Sequence, residues 1–293
     1  MVKNLKNSKK ISKNYKNNKK NNEFLEKNQN FIKEKEINFK KSLGQNFLFD
    51  TNLLNAIVKD GLVSSNDVVL EIGAGAGTLT SALAQTAKKV ISFEIDNSLI
   101  PILDEVAKNN SNVEFHFQDF MQADIDNLFS GQVRVVANIP YYITTPIVFK
   151  LVDKIEKFKS ILVLVQKEVA ERFASVYGTK DYGITSVILQ SIFDISIPRI
   201  VKKECFTPAP KVDSALCLLV PHNKYQIEDF DGFKKFVHTA FSMRRKTLIN
   251  NLKQIYSKES VLMSLNQLGF EESVRPEQIS VENFIKLFKI LKI

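Results

Sequence analysis

The residues Asn138-Ile-Pro-Tyr141 directly follow the apolar run Val133–Ala137. An asparagine carbonyl and a backbone carbonyl, held by a rigid proline turn, can accept the two hydrogens of an exocyclic amine. A tyrosine ring can stack on the base that carries this amine. Adenine N6 would need such help, because its lone pair is delocalised into the ring. The motif alone is also compatible with an ordinary Asn-x-Pro turn before a helix.

A glycine-rich segment, Glu71-Ile-Gly-Ala-Gly-Ala-Gly77, lies between a strand-like run and a helical pattern. Glycines let the backbone approach a ligand closely, and the following helix offers free N–H groups. The spacing is G-x-G-x-G, so the segment alone is also compatible with a tight turn that binds nothing. Glu94 closes the next predicted strand, where a carboxylate can accept both hydroxyls of a ribose. Together the two features predict a nucleoside-containing cofactor.

A third carboxylate, Asp119, stands at the end of another predicted strand, in Gln118-Asp-Phe120. A short carboxylate there can accept a hydrogen bond from the exocyclic amine of an adenine. An aspartate in this position is more often a helix cap or turn residue, so both interpretations stay open.

Each of these motifs follows a predicted strand. Apolar runs predict strands at Asp67–Ile72, Val90–Ile95, Val113–Gln118, Val133–Ala137, Ser160–Val165 and Ala215–Val220. Helical patterns cover Thr51–Gly61, Thr78–Lys88, Leu99–Lys108 and Gln166–Val176. This alternation predicts an α/β fold with a mostly parallel sheet, in which ligands bind at the carboxyl ends of the strands. From about Phe230 the pattern is helical only, which predicts a small second domain.

The positive charge of the protein is concentrated at its N-terminus. The 293 residues carry a net charge of +9, and residues 1–41 hold 13 lysines and four glutamates, which already give +9. The rest of the chain is neutral overall, so an RNA-binding surface there must be a local patch. The Lys- and Asn-rich segment at 1–38 lacks periodic apolar positions and is expected to be disordered.

The cysteines, the histidines and the apolar runs indicate which compartment, metal chemistry and membrane contact to expect. Cys205 and Cys217 lack C-x-x-C spacing and are expected to be buried thiols of a protein from a reducing compartment. The three histidines, His116, His222 and His238, are scattered. We therefore expect chemistry without a metal. No apolar run reaches the roughly 20 residues of a membrane span, so a cytoplasmic protein without membrane contact is expected.

The chain resembles the bacterial family of small-subunit ribosomal RNA adenine N6-dimethyltransferases, the kasugamycin-resistance methyltransferases. The motifs that carry the resemblance are Lys41–Leu48, Glu71–Thr80, Phe93–Asp96, Asn138–Ile147, Leu164–Arg172, Tyr182-Gly, Phe206–Ser214, Phe241–Leu248 and Arg275–Ser280. Their order and spacing run from about Phe39 to the C-terminus. Tyr142 departs from some relatives, which have asparagine there.

The resemblance implies a Rossmann-like class I methyltransferase sheet at 39–221 and a helical rRNA-binding domain at 222–293. The implied reaction is S-adenosylmethionine-dependent N6,N6-dimethylation of two adjacent adenosines, in a hairpin near the 3′ end of 16S rRNA. The implied partner is this rRNA within the small ribosomal subunit, and a monomer is expected.

The resemblance also implies roles for individual residues. The cofactor is expected to be bound by Asn46, Leu48, Gly73, Glu94, Asp119 and Asn138. The catalytic residues are expected to be Asn138, Pro140 and Tyr141. Tyr141 would stack on the target adenine, and Phe206 would cover its other face.

A basic segment near the C-terminus is the candidate for rRNA backbone contact. Helical periodicity would place Phe241, Leu248 and Leu252 on one packed face. Arg244, Arg245 and Lys246 would then form a basic edge, which can position an RNA through its phosphates. A solvated charged face is the alternative for such a run.

Three other functions stay open. A macrolide-resistance methyltransferase would act on 23S rRNA instead, although Thr145-Pro146 and the segments Phe206–Ser214 and Phe241–Leu248 favour the small subunit. A noncatalytic RNA-binding relative is disfavoured by the intact Glu94 and Asp119. A nicotinamide dehydrogenase is disfavoured by the glycine spacing and by the lack of an acid for hydride transfer.

Overall fold

The computed structural model describes residues 45–243 and 245–292. The predicted extension at 1–38 and Arg244 lie outside the described residues. The chain divides into two compact units. The first contains residues 45–165 and Val201–Ser214, and the second contains Gln166–Ile200 and residues 215–292. The helices after Phe230 lie in the second unit, and the predicted domain boundaries at residues 38 and 221 stay predictions.

The strands are β1 (Phe47–Leu48), β2 (Val68–Ile72), β3 (Lys89–Glu94), β4 (Val113–Phe117), β5 (Val133–Asn138), β6 (Phe158–Gln166), β7 (Phe193–Val201), β8 (Phe206–Thr207) and β9 (Ser214–Pro221). The α-helices are α1 (Thr51–Asp60), α2 (Thr78–Ala84), α3 (Ile100–Asn109), α4 (Ile125–Leu128), α5 (Thr144–Val152), α6 (Lys167–Phe173), α7 (Ile184–Gln190), α8 (Phe230–Ala240), α9 (Leu248–Leu252), α10 (Lys258–Gln267) and α11 (Val281–Lys292). Short 3₁₀ turns occupy Asn97–Leu99, Phe120–Gln122, Tyr141–Ile143, Ile155–Lys157, Lys203–Cys205 and Pro276–Gln278.

The sheet of the first unit is parallel, with strand order β4-β3-β2-β5-β6. Its central strands are almost wholly buried, which is why they appear in the sequence as continuous apolar runs. The chain runs outward from β2 through β3 to β4, and then returns to the other side of β2 as β5. The order therefore switches between β2 and β5, and a crevice is expected at their carboxyl ends. The predicted parallel sheet is confirmed.

Side chains satisfy the backbone groups at some of the helix ends in this unit. The Asp50 carboxylate accepts hydrogen bonds from the N–H groups of Asn52 and Leu53 at 2.8 and 2.9 Å, which starts α1. Helix α2 ends at Ala84 and not at Lys88 as predicted. The Asn112 amide donates to the carbonyls of Ala84 and Ala87 at 2.9 and 3.0 Å, so the last carbonyls are satisfied outside a helix.

The second unit is mainly helical, and its core contains the four buried rings of Phe233, Phe236, Phe284 and Phe288. The neighbouring ring centroids lie 5.4 to 6.3 Å apart. The strand β7 was not predicted, because Pro198 and the alternating polar residues obscure it. Pro198 is tolerated because β7 is at a sheet edge.

The prediction of one helix over Phe241–Leu252 is wrong. Helix α8 ends at Ala240, and α9 begins at Leu248 after Thr247, whose hydroxyl caps it. The buried Asn251 amide donates to the carbonyls of Ala240 and Met243 at 2.6 and 3.3 Å, so the end of α8 is satisfied by a side chain. Arg245 and Lys246 therefore lie in the turn between the helices and not on a helix face.

The two cysteines differ in their environment. Both are free, Cys217 is buried on β9, and Cys205 is partly exposed, so the expectation of two buried thiols holds only for Cys217. Burial raises the pKa of the Cys217 thiol to about 12. Within the described residues, every helix is too short or too polar to span a membrane.

Candidate active site

A pocket lies in the first unit at the carboxyl ends of β2, β3, β4 and β5. Its walls come mainly from residues 45–48, 72–76, 93–95, 118–120 and 138–143. All six predicted cofactor-binding residues line it: Asn46, Leu48, Gly73, Glu94, Asp119 and Asn138. Their roles stay predictions, but their positions around one pocket are consistent with those roles.

The glycine loop after β2 uses its glycines for two purposes. Gly73 has a φ of +83°, and a Cβ there would lie 3.3 Å from the Asn138 carbonyl oxygen. Gly77 has a φ of +72°, and a Cβ there would lie 2.6 Å from the Val106 Cγ2 on α3. Gly73 and Gly75 line the pocket, whereas Gly77 does not. The third glycine therefore permits close packing of the loop on α3 and has no direct contact with the pocket.

The Glu94 carboxylate joins the glycine loop to the end of β3. Its Oε2 accepts a hydrogen bond from the Gly75 N–H at 2.7 Å, and its Oε1 accepts one from the Asp96 N–H at 2.8 Å. Burial raises the pKa of Glu94, and these backbone donors oppose the rise. A carboxylate oxygen has a further lone pair, so both oxygens can still accept ribose hydroxyls.

Gln45 and Asp96 continue the hydrogen-bond network that begins at Glu94. Neither residue was predicted from the sequence to have a role in the site. The Gln45 amide donates to the Asp96 Oδ2 at 2.8 Å, while the Asp96 Oδ1 accepts from the backbone and hydroxyl of Ser98. The Gln45 Oε1 is buried and has no hydrogen-bond partner among the described residues. An unpaired buried acceptor in a pocket wall favours a ligand that carries donors. The hydroxyl and ammonium groups of S-adenosylmethionine fit that requirement.

Asn138 is the last residue of β5, and its side chain is held in one orientation. Its amide group donates to the Asn46 backbone carbonyl at 3.0 Å. The Oδ1 is therefore the acceptor that remains for a ligand. The Pro140 carbonyl already accepts from the Ile143 N–H at 3.1 Å and from the Thr144 hydroxyl at 3.4 Å. These bonds make the Pro140 carbonyl a weaker acceptor than Asn138.

Tyr141 begins the 3₁₀ turn that follows, and its hydroxyl lies 2.6 Å from the Ser214 Oγ. Burial raises the pKa of Tyr141, so its hydroxyl stays neutral. Ser214 is fully buried at the start of β9 and anchors the tip of the ring. Tyr142 lies next to Tyr141 in the pocket wall and is 62% exposed.

A model of the family described as "Ribosomal RNA adenine dimethylase" matches residues 36–292. The chain belongs to this family. Ribosomal RNA small subunit methyltransferase A of Ligilactobacillus salivarius (strain UCC118) is 44% identical over 267 residues, which cover 86% of this chain and 89% of the relative. The protein of the same name from Bacillus mycoides (strain KBAB4) is 41% identical over 276 residues, covering 90% of this chain and 94% of the relative.

Two solved structures share the fold. A dimethyladenosine transferase from Plasmodium falciparum superposes with a TM-score of 0.73 at 28% identity, covering 82% of this chain and 95% of that one. The 23S rRNA methyltransferase ErmE superposes with a TM-score of 0.68 at 26% identity, covering 85% of this chain and all of that one. The chain is therefore a methyltransferase with the class I fold, as the sequence predicted.

The residues predicted to contact RNA differ in their exposure to solvent. Phe206 is 4% exposed, pairs with Leu48 through β8 and β1, and does not line the pocket. This burial does not favour a ring that stacks on a base, so its role stays a prediction. Arg245 and Lys246 are exposed in the second unit. The described residues contain no group of three or more His, Cys, Asp or Glu side chains that could hold a metal ion, and the expectation of metal-free chemistry stays a prediction.

Glu71 is fully buried beneath the glycine loop. Its Oε2 accepts hydrogen bonds from the hydroxyls of Thr80 and Ser92, both at 2.6 Å, and its Oε1 has no partner among the described residues. Burial raises the pKa of Glu71 from 4.5 to about 8. Glu71 is therefore a neutral carboxylic acid at pH 7, and it links β2, β3 and α2.

We expect Glu71→Gln to stabilise the protein increasingly as the pH rises from 5 to 8. In the unfolded chain this acid ionises near its ordinary pKa, whereas in the fold it keeps its proton up to about pH 8. Wild-type stability therefore falls across that interval, by about 1.4 kcal/mol per pH unit at most, and the neutral amide avoids this loss. The expected gain at pH 7 is on the order of 3 kcal/mol. Urea unfolding at pH 5, 7 and 8 measures it.

The matched control is Asp104→Asn on α3, which replaces an exposed carboxylate by an amide in the same unit. This variant should gain no stability with rising pH. A Glu71→Gln variant whose stability tracks the wild type at all three pH values would show that Glu71 is ionised in the fold.

Proposed function

We propose that this protein transfers methyl groups from S-adenosylmethionine to N6 of two adjacent adenosines in 16S rRNA. The target is a hairpin loop near the 3′ end of that rRNA, within the small ribosomal subunit. The observation that carries the proposal is the side chain of Asn138, whose amide is held by the Asn46 carbonyl so that its oxygen stays available in the pocket. The protein is expected to act as a cytoplasmic monomer in subunit biogenesis.

The described residues contribute orientation and hydrogen bonding. The Asn138 oxygen would accept a hydrogen bond from the N6 amine and make the nitrogen lone pair available for attack. Tyr141, anchored through its hydroxyl to Ser214, stacks on the adenine and fixes its plane. Glu94 would hold the ribose of S-adenosylmethionine, and Asp119 would hold its adenine. When bound, the cofactor would supply an electrophilic methyl group on its sulfonium.

The second candidate function is methylation of 23S rRNA, which the resemblance to ErmE supports. The two relatives named for the small subunit are more similar, at 41 to 44% identity. Small and large subunits from cells that lack both modifications should be incubated separately with the protein and methyl-labelled cofactor. We expect label in small subunits only. Label confined to large subunits would support the second candidate and overturn the proposal.

We expect deletion of residues 1–38 to weaken subunit binding and to make it less sensitive to salt. The deletion removes 11 lysines and four glutamates, a change in charge of −7. Each phosphate that a cationic arm neutralises contributes about −0.7 to the slope of log affinity against log salt for single-stranded RNA. Binding of both proteins to small subunits should be measured over a salt series.

Cofactor affinity is the internal control of this experiment and should not change, because the truncated protein keeps all the described pocket residues, which run from Gln45 onward. Equal salt slopes for the full-length and truncated proteins would show that the lysine-rich segment does not bind RNA.

A further inference from the structure

Lys150 binds the turn that follows β4, although it lies on α5. Its ammonium donates hydrogen bonds to the backbone carbonyls of Met121 and Ala123, both at 2.9 Å. It also lies 5.7 Å from the centroid of the Phe120 ring. Lys150 forms no ion pair with a carboxylate in the described part of the chain. Among the described residues, its charge is compensated by two carbonyl oxygens and an aromatic face.

This turn, Phe120–Gln122, carries the pocket wall where an adenine is expected. Asp119 caps it, and the Asp119 Oδ1 accepts a hydrogen bond from the Met121 N–H at 2.8 Å. Phe120 is 4% exposed and packs edge-on against Phe93 at 5.3 Å. Asp119 and Phe120 line the pocket, whereas Lys150 does not.

The backbone of Met121 connects the Asp119 carboxylate to the Lys150 ammonium. Its N–H donates to Asp119, and its carbonyl accepts from Lys150, so the position of the Asp119 carboxylate depends on a peptide segment that Lys150 fixes from the other side. The described residues offer no other hydrogen bond to the Asp119 carboxylate, although the Asp119 backbone carbonyl accepts one from the Gln122 N–H at 3.0 Å. A carboxylate with a single short tether is free to turn away if its turn shifts.

We propose that Lys150 is a positioning residue that holds Asp119 in place to recognise the exocyclic amine of the cofactor's adenine. The inference rests on the proposed use of S-adenosylmethionine. Because α5 begins just after the Asn138–Tyr141 motif, Lys150 also connects the element behind the target-base motif to the adenine-binding turn. Lys150 contacts neither ligand and acts only through the turn.

The test compares two ligands of the full-length protein. S-adenosylhomocysteine carries the exocyclic amine, and S-inosylhomocysteine has a carbonyl oxygen in its place. A hydrogen bond from the amine to a carboxylate should make the wild-type Kd for the inosine compound about tenfold to a hundredfold higher. Calorimetry gives both Kd values independently of the fraction of active protein.

We expect Lys150→Met to reduce this ratio to about threefold or less, mainly by weakening the adenine compound, and Lys150→Arg to retain more of it. The matched control is Lys154→Met, which removes a surface lysine just after α5 that pairs with Asp126. It should keep the wild-type ratio. Asp119→Ala should also lower the ratio of the two Kd values. Adding Lys150→Met to Asp119→Ala should lower this ratio no further, because Lys150 acts through Asp119.

A Lys150→Met protein with a lower melting temperature but the wild-type ratio would overturn the inference and leave the proposed function intact. Equal Kd values of the wild-type protein for the two compounds would contradict both the adenine role of Asp119 and this inference. A wild-type protein that binds neither compound would contradict the proposed function itself.

Discussion

Asn138→Ala is expected to lower kcat by about a hundredfold to a thousandfold, the range seen when one oriented polar group is removed from a reacting centre. The Asn138 oxygen is oriented by the bond to the Asn46 carbonyl, and alanine offers no acceptor for the hydrogens of N6. The effect should appear mainly in turnover, because Asn138 is one of several polar residues around the cofactor. Single-turnover methylation of small subunits separates the chemical step from binding.

The matched control is Asn127→Ala. This asparagine lies on α4, and its amide donates to the exposed Asp124 carboxylate and to no other group in the described part of the chain. Its loss should leave kcat and cofactor affinity unchanged. Near-normal turnover in Asn138→Ala would contradict the role of the amide oxygen, and a lost affinity for S-adenosylhomocysteine with unchanged turnover would reassign Asn138 to cofactor binding.

Glu94→Ala is expected to raise the Kd for S-adenosylhomocysteine about tenfold to a hundredfold, since a hydrogen bond to a charged group contributes roughly 1.5–3 kcal/mol. Two effects add here. The ribose hydroxyls lose their acceptor, and the N–H groups of Gly75 and Asp96 lose their buried partner, which loosens the glycine loop. Turnover at saturating cofactor should fall much less. Calorimetry measures the affinity.

Asp104→Ala replaces an exposed acid of α3 in the same unit and should bind the cofactor normally. Cofactor affinity in Glu94→Ala equal to that of this control would refute the ribose assignment. Circular dichroism of both variants should be recorded first, because it detects a Glu94→Ala protein that has not folded.

The parallel sheet was predictable because its strands are buried on both faces, which leaves continuous apolar runs in the sequence. The pocket residues were predictable for a related reason. Glu94 and Asn138 end their strands, Asp119 follows one, and parallel strands bring their carboxyl ends to one edge.

Other features depend on contacts between distant segments and leave no local pattern. Lys150 resembles any lysine near the end of a helix, and only the packing of α5 near the turn after β4 reveals its two carbonyl partners. Ser214 is one serine in a motif of the resemblance until its hydroxyl is found beside Tyr141. The break between α8 and α9 was missed because helical periodicity continues across it, while the Asn251 side chain replaces the helical hydrogen bonds.

Nucleoside mass spectrometry of 16S rRNA tests the proposed activity most directly. Small subunits from cells lacking the modification should be incubated with S-adenosylmethionine and either the wild-type protein or Asn138→Ala, and the 3′ hairpin then isolated. We expect N6,N6-dimethyladenosine at two adjacent positions with the wild-type protein, and almost none with Asn138→Ala. Unmodified adenosines in the hairpin after incubation with wild-type protein that binds S-adenosylhomocysteine would contradict the proposed substrate.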